Sequence, residues 1–149
     1  MKYLALLFCI LTASCAGVTG APKIISGDTI IVDGERIRLF GIDAPEPEQT
    51  CAIDGKPYPC GEEATKALMQ MVGSADISCR DRGRAEDGHI IGVCSVGATD
   101  LAARMVSEGW ALADTRVSTF YVDEEKLAKA VRKGIWRGKF IEPWKWTGQ

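Results

Sequence analysis

Ile25-Ser26-Gly27-Asp28-Thr29-Ile30-Ile31-Val32-Asp33-Gly34-Glu35-Arg36-Ile37-Arg38-Leu39-Phe40-Gly41-Ile42-Asp43-Ala44-Pro45-Glu46 is the stretch whose reading decides the fold. Asp33-Gly34 stands between the apolar run Ile30-Ile31-Val32 and the arm Glu35 to Leu39, a pattern that predicts a β-hairpin closed by a two-residue turn. In that register Val32 faces Glu35 and Thr29 faces Arg38. Asp28 then falls at the open end, level with Leu39 and close to where Asp43 and Glu46 leave the second arm. Taken singly, each acid reads as a solvated turn residue and Arg38 as a surface strand residue. Together, at one rim, they read as a site.

Around this hairpin the chain of 149 residues suits one domain with one core. Its start is different in kind. Lys2, the short apolar run Leu4 to Ala13 and the small residues Ser14-Cys15-Ala16-Gly17 match a secretory signal peptide and are too short to span a bilayer. The expectation is a leader over residues 1–20, cut after Ala16 or Gly20, and a domain over residues 21–149, secreted or periplasmic. Thr12-Ala13-Ser14-Cys15 also loosely resembles a lipoprotein processing site, which would anchor the chain to the envelope through Cys15. Without residues 1–20 the chain has 17 basic and 20 acidic residues, a balance of −3. That excludes a nonspecific nucleic-acid binder held by a broad basic surface, but not an enzyme in which a metal supplies the positive charge.

Export leaves four cysteines, Cys51, Cys60, Cys79 and Cys94. An even number in an oxidising compartment reads as a disulfide framework with three connectivities open to it. No Cys-x-x-Cys pair suggests zinc. Local pairing is the reading adopted: Cys51 and Cys60 flank a Gly/Pro-containing loop, and Cys79 and Cys94 lie on two segments that look like adjacent strands.

Gly41 to Pro59, with four prolines, reads as a long loop held extended at Ala44-Pro45 and Glu46-Pro47. Ala64, Ala67, Leu68 and Met71 share one face of a helix that Val72-Gly73 ends. Ala75 to Cys79 and Ile90 to Val96 are strands, and Arg80 to His89 is a charged turn between them. Asp100 caps a second helix with Leu101, Ala102 and Met105 inward, ending near Gly109. Trp110 to Ala113 is a short strand or packed turn. A third helix starts at Val122 or Asp123 and runs to Lys133, with Leu127, Ala130 and Val131 its apolar residues. Trp136, Phe140, Trp144 and Trp146 lie over the core, with an aromatic platform for bases as the other reading. Strands first, then helices, is the layout of an α+β domain, a small barrel with helices outside.

Gly27-Asp28-Thr29, Arg38 through Glu46, Gly109-Trp110-Ala111 and Gly134-Ile135-Trp136 together resemble the thermonuclease (staphylococcal-nuclease-like) family, over nearly the whole chain that follows the leader. It looks closest to exported bacterial members with two cysteine pairs. The resemblance implies an α+β fold, a five-stranded OB-type β-barrel with about three helices packed on it. It also implies Ca2+-dependent cleavage of DNA or RNA, single strands in preference, by a monomer. By the same resemblance Asp28 and Asp43 are calcium ligands, Glu46 the general base toward water, and Arg38 a phosphate clamp. The chemistry is consistent: calcium takes hard oxygens and tolerates open positions, and guanidinium groups neutralise charge on a transferring phosphoryl group.

The resemblance breaks at one place. Family members carry a second arginine in an Asp-Arg-Tyr-Gly-Arg block just before the strand that ends in the fourth cysteine. Counted back from Cys94, that block falls on Ala85-Glu86-Asp87-Gly88-His89, so His89 stands for the arginine and Asp87 for the tyrosine. Asp81-Arg82-Gly83-Arg84 looks like a relic of the motif set too early. A threonine after the loop aspartate is also altered, to Ala44. An imidazole cannot form the bidentate fork to phosphate and is charged only near or below about pH 6.5. Loss of one such donor costs on the order of 10²–10³ in rate. The function read from the sequence is therefore an exported calcium-dependent nuclease of reduced activity. The alternative is a non-catalytic OB-fold binding module of the cell envelope.

Overall fold

The computed structural model describes residues 17–148. Cys15 and most of the expected leader lie outside the described residues. In chain order the elements are β1 (Gly17–Gly20), β2 (Pro22–Ile24), β3 (Thr29–Val32), β4 (Glu35–Leu39), β5 (Ile42–Asp43), β6 (Cys51–Ile53), β7 (Lys56–Tyr58) and α1 (Cys60–Val72). Then follow β8 (Ile77–Arg84), β9 (Ile90–Val96), β10 (Thr99–Asp100), α2 (Leu101–Ser107), β11 (Leu112–Ala113) and α3 (Val122–Ala130), with short 3-10 turns at Gly134–Arg137 and Pro143–Lys145.

The main sheet runs β1-β8-β9-β4-β3-β2, with β10 beside β9. Strands β2, β3, β4, β9 and β8 make the curved, OB-like half-barrel, and the three helices pack on it in an α+β arrangement. β1 and β10 extend the sheet beyond the five strands expected. β1 falls in the last four residues of the expected leader and pairs with β8, Gly17 opposite Arg80 and Gly20 opposite Ile77. A cut after Ala16 keeps this edge strand; a cut after Gly20 removes it.

The hairpin forms in the expected register, Thr29 opposite Arg38 and Val32 opposite Glu35. Asp33 and Gly34 both have positive φ, 50° and 80°, as the two-residue turn requires. Period-two alternation then sorts the arms. Ile30, Val32, Ile37 and Leu39 point into the core, while Arg36 and Arg38 point outward. The core joins these residues to Ala64 and Leu68 of α1, Ile77 and Cys79 of β8, and Leu101, Met105 and Val106 of α2. Asp100 caps α2 as expected, accepting the amide of Ala103 at 3.1 Å.

Both disulfides pair locally, Cys51 with Cys60 and Cys79 with Cys94. Each is expected to contribute roughly 2–4 kcal/mol. Three local readings change. The loop expected from Gly41 to Pro59 contains a second hairpin, β6 with β7, closed by Asp54-Gly55. Strand β8 continues five residues beyond Cys79, because its polar end stays hydrogen-bonded to β9 while facing water. α3 ends at Ala130 rather than Lys133, and Leu127, Ala130 and Val131 are exposed while Ala128 is its buried residue. The aromatic tail covers a smaller second core: Trp136, Phe140 and Trp144 pack on Cys51, Cys60, Leu112 and Ile135.

Candidate active site

Asp28 ends the turn before β3 and is 6% exposed. Its Oδ1 accepts hydrogen bonds from the Ser26 and Thr29 hydroxyls, both at 2.8 Å, and its Oδ2 accepts the amide of Ala44 at 3.0 Å. The last bond ties the hairpin's open end to the loop after β5. Gly27 makes that approach tight, since a Cβ there would meet the methyls of Ala44 and Ala64. Ala44, where the family has threonine, is thus a packing residue against Gly27.

Asp43 closes β5 and is 3% exposed. Its two oxygens face two guanidinium groups. Arg38 Nη2 stands 3.0 Å from Oδ1, and Arg116 Nη2 stands 3.4 Å from Oδ2. The same Arg38 nitrogen is 4.0 Å from Asp28 Oδ2, so one cationic group lies between the two carboxylates. Burial, then the charge of Asp28, pushes Asp43 up to about 7, against the opposing pull of both arginines. Arg116 is itself fixed by Asp114, with its Nε 2.7 Å from Oδ1. Burial works against the Asp114 charge, but the hydrogen bonds from Arg116 outweigh it and hold the carboxyl below its usual range.

Glu46 is set by a clamp the sequence did not disclose. Gln49, fully buried, accepts the Glu46 amide at 3.3 Å and donates to the carbonyl of Ile141 at 2.7 Å. The Gln49 amide donates back to the Glu46 carbonyl at 2.8 Å, and the Gly61 amide donates to the Gln49 carbonyl at 3.0 Å. Gly61 has to be glycine, because a Cβ would run into the carbonyl of Glu46. The loop is therefore pressed onto the start of α1 and tied to the C-terminal tail. Desolvation, then the charge of Asp28, raises the Glu46 carboxyl above its ordinary range.

The opposite wall is the turn between β8 and β9. His89 and Asp87 are its cleft-facing residues, with His89 Nδ1 2.8 Å from Asp87 Oδ2. They line a cleft of about 320 Å³ with Ser26, Asp28, Thr29, Arg36, Arg38 and Glu46. Asp28, Arg38, Glu46 and His89 are thus brought together as expected, and Asp43 stands behind Arg38 without lining the cleft. The relic motif does not reach the cleft. Arg82 turns onto Phe40, 5.0 Å from the ring centre, and Arg84 pairs with Asp81 at 3.6 Å.

The profile of the family described as Staphylococcal nuclease homologue matches residues 36–138, more than half of the chain. This protein belongs to the staphylococcal nuclease homologue family. Among curated relatives it is 33% identical to "Succinoglycan biosynthesis protein ExoI" of Rhizobium meliloti (strain 1021), over 82% of this chain and 66% of that protein. It is 28% identical to "Probable staphylococcal-like nuclease CAN1" of Oryza sativa subsp. japonica, over 88% of this chain and 38% of that protein. A second rice protein, "Probable staphylococcal-like nuclease CAN3", is also 28% identical, over 83% of this chain and 32% of that protein. The chain spans about two thirds of the Rhizobium relative and about a third of the rice relatives.

For a staphylococcal nuclease homologue the metal question turns on Asp28 and Asp43. Among the described residues no group of three or more His, Cys, Asp or Glu side chains gathers as metal ligands. The two aspartates nonetheless suit a hard cation: both are buried, the charge of Asp28 helps to raise Asp43, and a guanidinium nitrogen already lies between them. The donor set fits calcium only with water and main-chain oxygens completing the shell. No helix among the described residues is long and apolar enough to cross a membrane.

Four residues around this site lie outside the set read from the sequence. Arg116 and Asp114 meet Asp43 from a loop some seventy positions away. Arg36 could have been found, since it alternates with Arg38 on the outer face of β4. Gln49 was invisible, because its partner Ile141 lies 92 residues on.

Proposed function

We propose that this chain is an exported, calcium-dependent nuclease that hydrolyses phosphodiester bonds of DNA or RNA, single strands in preference, at a reduced rate. The observation that carries the reading is the common cleft of Asp28, Arg38 and Glu46, with Asp43 locked behind Arg38. The family membership and the names of the rice relatives support it. Glu46 is clamped at the mouth, and its raised pKa suits a base that takes a proton from the attacking water. Arg38 offers the guanidinium that holds a phosphate oxygen, with Arg36 beside it on the same strand face. Calcium on Asp28 and Asp43 would supply charge that polarises the phosphoryl group.

The reduced rate follows from the turn wall. His89 takes the place of an arginine, and its neighbour Asp87 points a carboxylate at the same cleft. The lining thus has four acids, Asp28, Glu46, Glu48 and Asp87, against Arg36 and Arg38. A phosphodiester entering unaided meets net repulsion, which makes the cation essential. In the test, the purified domain cuts heat-denatured DNA with calcium and stops when a chelator is added. No cleavage anywhere from about pH 5 to pH 9 rejects the reading.

The same acidic lining favours a second reading, a non-catalytic binding module of the envelope. Titration calorimetry with calcium separates the two. A pure scaffold has no reason to hold the ion, whereas the nuclease reading requires heat of binding that Asp43→Asn removes.

A further inference from the structure

Beyond the cleft, β4 carries a row of outward side chains: Arg36, Arg38 and then Phe40 just past its end. Alternate residues on a strand are about 6.6 Å apart, so Phe40 stands one step along the same face from the proposed phosphate clamp. The Phe40 ring does not stand alone. Phe120 meets it edge-to-face at 5.8 Å between centroids, and the Arg82 guanidinium lies 5.0 Å from the Phe40 ring and 5.9 Å from the Phe120 ring. Phe120 is 63% exposed, an unusual position for a phenylalanine.

The cluster is held in place. Arg82 is the extra residue where the β8–β9 register shifts between Asp81 and Gly83, which turns its side chain out of the ladder. The loop bearing Phe120 is fixed by the Asp114 amide on the Gly41 carbonyl at 2.9 Å, and by the buried Tyr121, whose hydroxyl donates to Asp100 at 3.0 Å. Gly41 leaves room for this: a Cβ there would press on Tyr121 and Ser118. The same loop carries Arg116 to Asp43. A hollow of about 150 Å³ is lined by Arg38, Gly41, Ile91, Arg116 and Val117.

We propose that Phe40, Phe120 and Arg82 form a stacking subsite for a nucleobase of single-stranded nucleic acid, next to the phosphate groove at Arg38. Aromatic rings with the Arg82 guanidinium beside them, one strand step from Arg38, suit a ligand that is flat, apolar on its faces and negatively charged along its backbone, which is the chemistry of a nucleotide. The inference rests on the nuclease reading for its choice of polymer and deepens that reading by naming the group that docks beside the cleft. It also gives the Arg82 of the displaced motif a use.

The test is binding, not cleavage. Labelled oligothymidylate and an abasic oligomer of equal length are titrated, with calcium present, onto the Glu46→Gln protein and onto the same protein carrying Phe120→Ala or Phe120→Trp. Stacking of one base predicts that Phe120→Ala weakens oligothymidylate binding roughly 5- to 150-fold. The abasic oligomer should be unaffected, and Phe120→Trp should restore the affinity. Equal affinity with and without the Phe120 ring overturns the proposal, as does equal weakening for both oligomers, which would mean contact with backbone or sugar. Absence of oligothymidylate binding at low salt also overturns it. A protein that binds in this base-dependent way but never cuts DNA keeps the subsite and loses the nuclease reading.

Discussion

On one wall of the cleft Asp28 and Asp43 are almost completely buried, and each of their four carboxylate oxygens has a hydrogen-bonding partner. On the other wall Asp87 and His89 stand largely in solvent, and their side-chain hydrogen bonds join only these two neighbours. The first wall is made by a hairpin, a loop and a helix start that lock one another. The second is a turn beyond the end of the core. A site built this way loses function most easily at the turn, where a substitution disturbs no packing. The missing arginine of the family pattern lies there; the buried wall changes a threonine to Ala44 but retains both aspartates.

The contrast can be broken first at the buried wall. Asp43→Asn removes a charge that two arginines and the proposed cation share, and is expected to lower cleavage on the order of 10²–10³-fold. The check is the rate on heat-denatured DNA at the calcium concentration that saturates the unaltered protein. A loss below tenfold would mean that the buried wall is not the working one.

The second expectation concerns pH. Burial, then the nearby Asp28 charge, raises Asp43 to about 7, so between the ordinary carboxylate range and that value the folded chain keeps a proton that the unfolded chain has released. This contribution favours the fold at low pH and is lost as pH rises toward 7. A metal-free protein is therefore expected to lose thermal stability from this group between about pH 4 and pH 7. Calcium affinity runs the other way, rising about tenfold per pH unit up to 7 because the ion must displace that proton. Calorimetry at three pH values checks both signs. A calcium affinity flat with pH would contradict the assignment of Asp43.

A smaller effect is expected at the clamp. Gln49→Ala leaves the Glu46 amide and the Ile141 carbonyl without their partner and should cost about 1–3 kcal/mol in a denaturant melt. It should also lower turnover more than substrate affinity, since it loosens Glu46. The Gln49→Glu variant keeps an acceptor for the amide but not the donor, and should fall between.

The sequence made the first hairpin legible to the level of register, because Asp33-Gly34 sits between an apolar run and an alternating arm. Asp54-Gly55 closes a hairpin with nearly the same backbone, φ 51° and 77° against 50° and 80°, yet its sequence reads as loop. Its strands are three residues long and one contains Pro57, so neither period nor propensity marks them. Asp28, Arg38, Glu46 and His89 could be placed at one cleft from motif spacing. Arg116 could not: nothing local requires it, and only the chain's return across β5 and β11 brings it to Asp43. The tail aromatics were legible as cover for the core, while the exposed cluster of Phe40, Phe120 and Arg82 is assembled from three distant segments and one bulge.

In the proposed nuclease the cleft works on its buried wall and is deficient on its turn wall. The most direct measurement is the calcium-dependent cleavage rate of His89→Arg beside the unaltered protein, at about pH 6 and about pH 9. The prediction is a gain of tenfold or more, largest at pH 9, because a guanidinium keeps its charge and its two-pronged hold on phosphate there. An unchanged rate at pH 9, with the protein folded and calcium bound, would contradict it.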